Sequence, residues 1–208
     1  MFTGLVQGIG RIVEASRSPG FGADGGMRLS IDARAIAGFQ IAVGDSVAIA
    51  GACMTAVRVD GAAFAVDISK ESLARTTGLD RLGDVNIETS LRLGDKLGGH
   101  LLAGHVDGVG DVVEMSQVHE SWQLVVRVSA DLARYLAYKG SVAIDGVSLT
   151  VNQVNDSVHG CEFAMNIIPH THRATTLGAL RVGDRVNVEA DLIARYVERI
   201  LSSGQRSA

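Results

Sequence analysis

Val6-Gln7-Gly8-Ile9-Gly10-Arg11-Ile12-Val13-Glu14-Ala15-Ser16 returns later in the chain as Val106-Asp107-Gly108-Val109-Gly110-Asp111-Val112-Val113-Glu114-Met115-Ser116. Two more blocks behave the same way. Ser46-Val47-Ala48-Ile49, with Gly51 and Thr55, returns as Ser141-Val142-Ala143-Ile144, with Gly146 and Thr150. Val85-Asn86-Ile87-Glu88, with Leu91, returns as Val186-Asn187-Val188-Glu189, with Leu192. The offset is 100, then 95, then 101, so insertions fall between matched blocks, where loops tolerate them. The chain is a duplication. Its 208 residues divide into two units of about 100 each, predicted at 1–97 and 98–188, with a terminal segment at 189–208. Two related pockets suit a protein that holds two similar molecules at once.

Composition narrows the class. Twenty-five glycines against two prolines, among many valines and isoleucines, favour strands separated by glycine turns. Strands are predicted at 9–16, 28–33, 46–50, 53–59, 63–68 and 85–90, with counterparts in the second copy. Short helical turns are predicted at 69–76 and 131–137. Closely spaced short strands imply an all-β chain of small closed barrels, with paired β-sandwiches as the alternative. A net charge of −4 argues against nucleic acid or an anionic membrane as partner. No apolar run approaches the roughly 20 residues of a spanning helix. Met1-Phe2-Thr3-Gly4-Leu5 has no basic region before a long apolar stretch, so a cytoplasmic protein is expected. Cys53 and Cys161 lie in different copies and make no disulfide framework.

The last segment changes period. Leu192, Ile193, Tyr196, Val197, Ile200 and Leu201 form one apolar stripe on a helix, with Asp191 placed to cap its start. Such a helix packs on its own barrel or joins subunits, and three copies in a short bundle would explain the stripe.

The copies disagree at chemically capable positions. Cys53 aligns with Ser148, His105 with Leu5, Lys139 with Gly44 and Asp191 with Ser90. Residues two apart on a strand share a face, so Gly51, Cys53 and Thr55 oppose Ala52 and Met54, as Gly146, Ser148 and Thr150 oppose Val147 and Leu149. One face is apolar and the other suits a flat polar ligand. Each gain has a plain explanation alone: an inert thiol, a hydrogen-bonded histidine, a solvated lysine, a helix cap. Together they bracket one proposed pocket, and histidine moves protons near neutral pH. Gly108-Val109-Gly110 is not a dinucleotide fingerprint, no phosphate loop is present, and neither His100 with His105 nor His170 with His172 has a zinc spacing, so no metal is expected.

Three stretches carry a family likeness: Met1-Phe2-Thr3-Gly4-Leu5-Val6, Gly98-Gly99-His100-Leu101-Leu102-Ala103-Gly104-His105-Val106-Asp107-Gly108, and Lys139-Gly140 with Ile144-Asp145-Gly146-Val147-Ser148-Leu149-Thr150-Val151. With Ile168-Pro169, Thr171 and the ending Ala194-Arg195-Tyr196-Val197-Glu198-Arg199, the chain resembles riboflavin synthase of the alpha-chain type over practically its whole length. The resemblance implies tandem six-stranded Greek-key β-barrels and a C-terminal α-helix through which a homotrimer forms. It implies dismutation of two 6,7-dimethyl-8-ribityllumazine molecules, by four-carbon transfer, into riboflavin and 5-amino-6-ribitylaminouracil. Neither a metal nor an organic cofactor takes part. The site would lie between the N-terminal barrel of one subunit and the C-terminal barrel of its neighbour. An enclosing lumazine synthase is a further partner that some members have.

Carried over to this chain, the N-terminal pocket would use Gly4, Leu5, Val6, Cys53, Met54, Thr55, Asp67, Ile68, Ser69, Lys70, Glu71 and Ser72. The C-terminal pocket would use Gly104, His105, Val106, Lys139, Ser148, Leu149, Thr150, Ile168, Pro169, His170, Thr171, His172 and Arg173. Catalytic roles would fall to Cys53 at the first lumazine, to Ser148 and His105 in removing a methyl proton from its partner, and to Asp191 from the neighbouring subunit. Met54 departs from the family's usual leucine, and Ala50 from its frequent asparagine. A non-catalytic lumazine or flavin carrier on the same fold is the nearest alternative, and a purely structural trimer a third.

Overall fold

The computed structural model describes residues 1–21, 25–158 and 160–204. The first copy folds as β1 (Gly8–Arg17), β2 (Met27–Asp32), β3 (Ser46–Ile49), β4 (Ala52–Asp60), β5 (Ala63–Ile68), α1 (Lys70–Arg75) and β6 (Gly83–Thr89). The second has β7 (Gly108–Val118), β8 (Ser121–Val128), α2 (Ala130–Ala133), β9 (Ser141–Ile144), β10 (Val147–Ser157), β11 (Gly160–Ile167), α3 (Pro169–Ala174) and β12 (Arg185–Ala190). Each set closes into an antiparallel barrel, in the ring order β1-β2-β5-β4-β3-β6 and, equivalently, β7-β8-β11-β10-β9-β12. Because β5 returns beside β2, the connection is a Greek key. Closure through β1–β6 (Gly8↔Ile87) and β7–β12 (Gly108↔Val188) leaves no separate sheets, which sets the sandwich alternative aside.

Alternation along the strands fills each barrel. Ile12, Leu29, Ile31, Val47, Ile49, Phe64, Val66 and Ile87 pack the first. Val112, Leu124, Val126, Val142, Ile144, Phe163 and Met165 pack the second. Ala52, Met54, Val147 and Leu149 are buried, whereas Cys53 and Ser148 are half-buried and Thr55 and Thr150 exposed, as the strand period requires. Two-residue turns join β3 to β4 and β9 to β10. Ala50-Gly51 has φ of 45° and 84°, and Asp145-Gly146 has 46° and 80°. Such turns match the strand twist, at a cost of roughly 1–2 kcal/mol for a side chain like that of Ala50. The turns meet back to back, and a Cβ on Gly51 would stand 2.7 Å from the Gly146 nitrogen.

Two repeat-equivalent asparagines, each 1% exposed, fasten this junction. Asn187 donates to the Ala50 carbonyl at 3.0 Å and accepts from the Thr77 N–H at 2.8 Å. Asn86 donates to the Asp145 carbonyl at 3.0 Å and accepts from the Thr176 N–H at 2.8 Å. Buried amides with both ends satisfied hold the barrels in one relative pose.

The chain ends in α4 (Leu192–Gly204), directly after β12, and residues 205–208 of the predicted terminal segment lie outside the described residues. The apolar stripe is not spent on the chain's own barrels: Ile193, Tyr196, Val197, Ile200 and Leu201 are 50–69% exposed. No helix among the described residues is long and apolar enough to cross a membrane.

Asn187→Ala should lower unfolding free energy in urea by about 2–4 kcal/mol, because it strands the Thr77 N–H and the Ala50 carbonyl in a buried junction. Asp145 gives a pH test. Burial at the junction pushes its carboxyl up to about 7, opposed by one N–H donated from Asn187. Stability supplied by such a group is full below the unfolded value of about 3.9 and is lost as pH rises through the folded value. Asp145→Asn keeps the acceptor and removes the titration. The stability of wild type relative to this variant should therefore fall between about pH 4 and about pH 7.

Candidate functional site

Strand pairing leaves one edge of β4 open where Cys53 lies. On one side Ser46↔Thr55 through Ile49↔Ala52 pair with β3, but pairing with β5 begins only at Ala56. β10 repeats the gap, since pairing with β11 begins at Val151. An unpaired edge amide needs an acceptor. Each comes from the other copy: the Cys53 N–H donates to the Gly104 carbonyl at 2.8 Å, and the Ser148 N–H to the Gly4 carbonyl at 2.9 Å.

The segments before the two barrels are therefore crossed arms. Phe2 and Leu102 exchange backbone hydrogen bonds at the crossing, and both are buried. Val6 packs against the second core, and Val106 against the first. This regroups the residues read from the sequence. Gly104, His105 and Val106, expected in the C-terminal pocket, stand with Cys53; Gly4 and Val6, expected in the N-terminal pocket, stand with the second barrel. The block comparison placed each arm with the barrel that follows it in sequence, and the open strand edges reverse that.

Backbone approach is tight here. A Cβ on Gly104 would meet Cys53 Cβ at 2.6 Å, and one on Gly4 would meet Ser148 Cβ at 2.5 Å; both glycines have φ of 75°. Buried carboxylates hold the arms. Glu88 accepts from the Thr3 N–H at 2.7 Å, the Thr3 hydroxyl at 2.6 Å and the Gly4 N–H at 3.0 Å. Its repeat partner Glu189 accepts from the Ala103 N–H at 2.9 Å and the Gly104 N–H at 3.1 Å. Burial pushes both carboxyls up, against these donated hydrogen bonds.

A cavity of about 470 Å³ opens where the second arm meets the first barrel. Cys53, Met54, Thr55, Asp67, Ile68, Ser69, Glu71, Ser72, Gly104, His105 and Val106 line it, with Phe21, Arg75 and Thr76. Ser69 caps α1 by accepting from the Ser72 N–H at 3.0 Å, which turns this short helix over the cavity. Lys70 stands exposed at its start. Arg28 grips Asp67 with two hydrogen bonds of 2.8 Å and holds its carboxyl below the usual range. At the equivalent pair in the second barrel stand Gln123 and Asn166, so this ion pair belongs to the first barrel alone.

Against the second barrel the set differs. His100 Nδ1 lies 2.7 Å from Ser148 Oγ, and its Nε2 is buried without a hydrogen-bond partner among the described residues. Burial pushes this imidazole down, while the Asp191 charge opposes the shift. His100 was weighed in the sequence only as a metal ligand; its signal was its place within the Gly98-Gly99-His100 stretch. Trp122 stacks on His172 with ring centroids 3.7 Å apart. α3, which the sequence periodicity did not predict, begins at Pro169 and carries His170, Thr171, His172 and Arg173; Ile168 precedes it, 54% exposed. Thr150 shares the Ser148 face of β10 and is exposed, Leu149 turns into the second barrel core, and Leu5 is 51% exposed.

Two predicted residues have duties of other kinds. Lys139 has φ of 64° where Gly44 has 96°, so that turn demands a left-handed residue in both copies. Its ammonium donates to Asn152 Oδ1 at 3.0 Å. Asp191 caps α4 through the Ile193 N–H at 2.9 Å, beside its influence on His100.

Crossed arms over two barrels, each built around a half-buried polar strand residue, define a duplicated small-ligand protein. A family model described as the lumazine binding domain matches it twice, at residues 3–90 and 103–191. Riboflavin synthase of Photobacterium phosphoreum is 38% identical over 203 residues, spanning 97% of this chain and 89% of that protein. Riboflavin synthase of Brucella abortus (strain 2308) is 37% identical over 207 residues, spanning 96% and 98%. The crystal structure of LumP complexed with 6,7-dimethyl-8-(1'-D-ribityl) lumazine superposes with a TM-score of 0.76 at 26% identity, covering 91% of this chain and 99% of that one. The chain belongs to the riboflavin synthase family.

The two thiols give a direct test of the crossed arm. Cys53 is half-buried and Cys161 fully buried. Iodoacetamide should modify Cys53 in the native protein and Cys161 only on unfolding, and Gly104→Ala should speed the reaction at Cys53 by displacing the arm. Equal rates at both thiols in wild type, read by mass spectrometry, would contradict the structure.

Proposed function

We propose that the protein transfers a four-carbon unit between two molecules of 6,7-dimethyl-8-ribityllumazine, giving riboflavin and 5-amino-6-ribitylaminouracil. One observation carries this reading: two unequal sets of side chains, a thiol and an imidazole lining the cavity on the first barrel, and a hydroxyl in contact with an imidazole on the second. Identical substrates that must play unequal roles need such a pair. The cavity at Cys53 includes none of Ser148, Leu149, Thr150 or the α3 residues, so one chain does not gather both sets into one space. In this reading the two lumazines meet between subunits. The exposed stripe of α4 supports a homotrimer that presents the first barrel of one subunit to the second barrel of the next.

In this reading residues 1–97 and 98–188 are the two lumazine-binding units, and 189–208 is the association segment. Cys53 and His105 work on one lumazine, Cys53 as nucleophile or proton carrier. Ser148 and His100 work on the other, the imidazole taking the hydroxyl proton while a methyl group of the substrate is deprotonated. Asp191 favours the protonated imidazole from within the same chain. Arm and strand backbone groups read the flat ring edges; Asp67, Ser69, Ser72 and Thr171 read ribityl hydroxyls. Holding two rings in contact accounts for much of the acceleration, since fixed geometry can contribute roughly 7–11 kcal/mol. Free thiols at Cys53 and Cys161 accord with a cytoplasmic setting. A lumazine synthase shell remains a partner by family analogy.

The likeness to LumP favours one second reading, a carrier that binds lumazine without converting it. Incubation with 6,7-dimethyl-8-ribityllumazine separates the two. The enzyme yields one riboflavin per two lumazines consumed, and the carrier shifts lumazine fluorescence with no riboflavin. His105→Ala and Ser148→Ala should each lower kcat by roughly 10²–10⁴-fold with little change in KM. An unchanged kcat in either variant removes that residue from the chemistry.

A further inference from the structure

Arg195 lies on the helix α4, outside the cavity, yet its guanidinium donates to the His105 carbonyl at 3.0 Å. The same Nη2 is 2.7 Å from Asp107 Oδ2, on a carboxylate only 8% exposed. That oxygen also accepts from the Ala190 N–H at 2.8 Å, in the last residue of β12. On the other side of His105, Glu189 takes the N–H of the preceding Gly104 at 3.1 Å. The arm is thus held on both sides of His105, at Gly104 by a strand carboxylate and at the His105 carbonyl by a helix guanidinium. The copy that has leucine in place of histidine lacks this arrangement. At the position equivalent to Asp107 it has Gln7, whose side chain turns back to Thr89 of its own barrel at 2.9 Å, and no helix follows its last strand.

We propose that Arg195 is a positioning residue for His105, through which the docking of α4 sets the imidazole in the cavity with Cys53. This rests on the function proposed above. The helix that carries the exposed apolar stripe then does two things with two faces. One face is free to meet another subunit, and the other fixes the reach of a catalytic side chain. Association and catalysis are linked through one guanidinium whose acceptors are both on the crossed arm. Arginine suits the task because one terminal nitrogen of its rigid, always charged guanidinium reaches both the His105 carbonyl and the Asp107 carboxylate.

The test compares Arg195→Met, Arg195→Lys and, as a surface control on the same helix, Arg199→Ala, all in the full-length protein. Turnover of 6,7-dimethyl-8-ribityllumazine is read with oligomer size, melting temperature and the histidine ¹³Cε1 resonances, the His105 signal assigned by His105→Gln. Arg195→Met should lower kcat by roughly 10- to 100-fold, the size of loss a misplacement of about 1 Å produces, with KM nearly unchanged. The His105 resonance should move while oligomer size holds. Arg195→Lys should restore part of the loss, as should added guanidinium ion with Arg195→Met, and Arg199→Ala should match wild type. An Arg195→Met enzyme with wild-type kcat overturns the proposal. So does a loss of activity that follows loss of association with the His105 resonance unmoved. Wild type that yields no riboflavin would sink the functional reading instead, and the resonance of Arg195→Met would still decide the positioning.

Discussion

Everything in this molecule depends on two backbone hydrogen bonds that cross: Cys53 N–H to Gly104 O, and Ser148 N–H to Gly4 O. Each fills the edge that an incomplete strand pairing leaves open, and each comes from the arm of the other copy. A duplicated barrel without crossed arms would be two independent units on a linker. With them, neither strand edge is complete without the arm of the other copy. The tight approach at Gly4 and Gly104 shows how little slack this leaves, because a single methyl group on either would overlap the strand it serves.

The carboxylates Glu88 and Glu189 make the crossing stiff. Burial works against ionising them, yet every group they meet at the arms is a donor: N–H of Thr3 and Gly4, the Thr3 hydroxyl, N–H of Ala103 and Gly104. A carboxylate is the side chain that best serves such a set of donors, and hydrogen bonds to a charged acceptor are roughly twice as strong as neutral ones. The desolvation cost is met by several short donors per site, and the result is a fixed arm rather than a hinge. The asparagine pair Asn86 and Asn187 performs the same service at the turns, so the two barrels are tied at both the arms and the hairpins.

The fold was legible in the sequence because it is carried by periodicity and repetition. Period-two strands, matched blocks and a stripe of period near 3.6 are local signals, and each became the element expected of it. The apolar and polar faces around Cys53 and Ser148 followed from strand alternation alone. Which arm serves which barrel was not legible, since crossing is decided by free strand edges that exist only once the barrels close. His100 escaped for a related reason. Its partner Ser148 is 48 residues away, and the histidine has no counterpart pattern to compare with. α3 was hidden because Pro169 starts a helix too short to show a period. Arg195 looked like one more charge on a helix surface, and only its two acceptors on the arm give it a different meaning.

The same contrast explains why the two copies could not stay alike. A serine hydroxyl is a far weaker acid than a thiol, so it needs a base in contact before it can carry a proton. Ser148 has one in His100, held at 2.7 Å. Cysteine has no such need, and what Cys53 has beside it is an arm whose backbone is held by Glu189 and Arg195. Duplication supplies two frames of equal geometry. In the proposed reaction, substitution within those frames supplies two reactive centres of unequal character, one built on a soft nucleophile and one on a hydroxyl with its own base. A reaction between two molecules of one compound, as proposed, requires that inequality, since the two molecules must play different roles. The strands carry Cys53 and Ser148, and the crossing arms add what a single copy lacks: His105 lines the cavity beside Cys53, and the Gly4 carbonyl takes up the Ser148 strand edge.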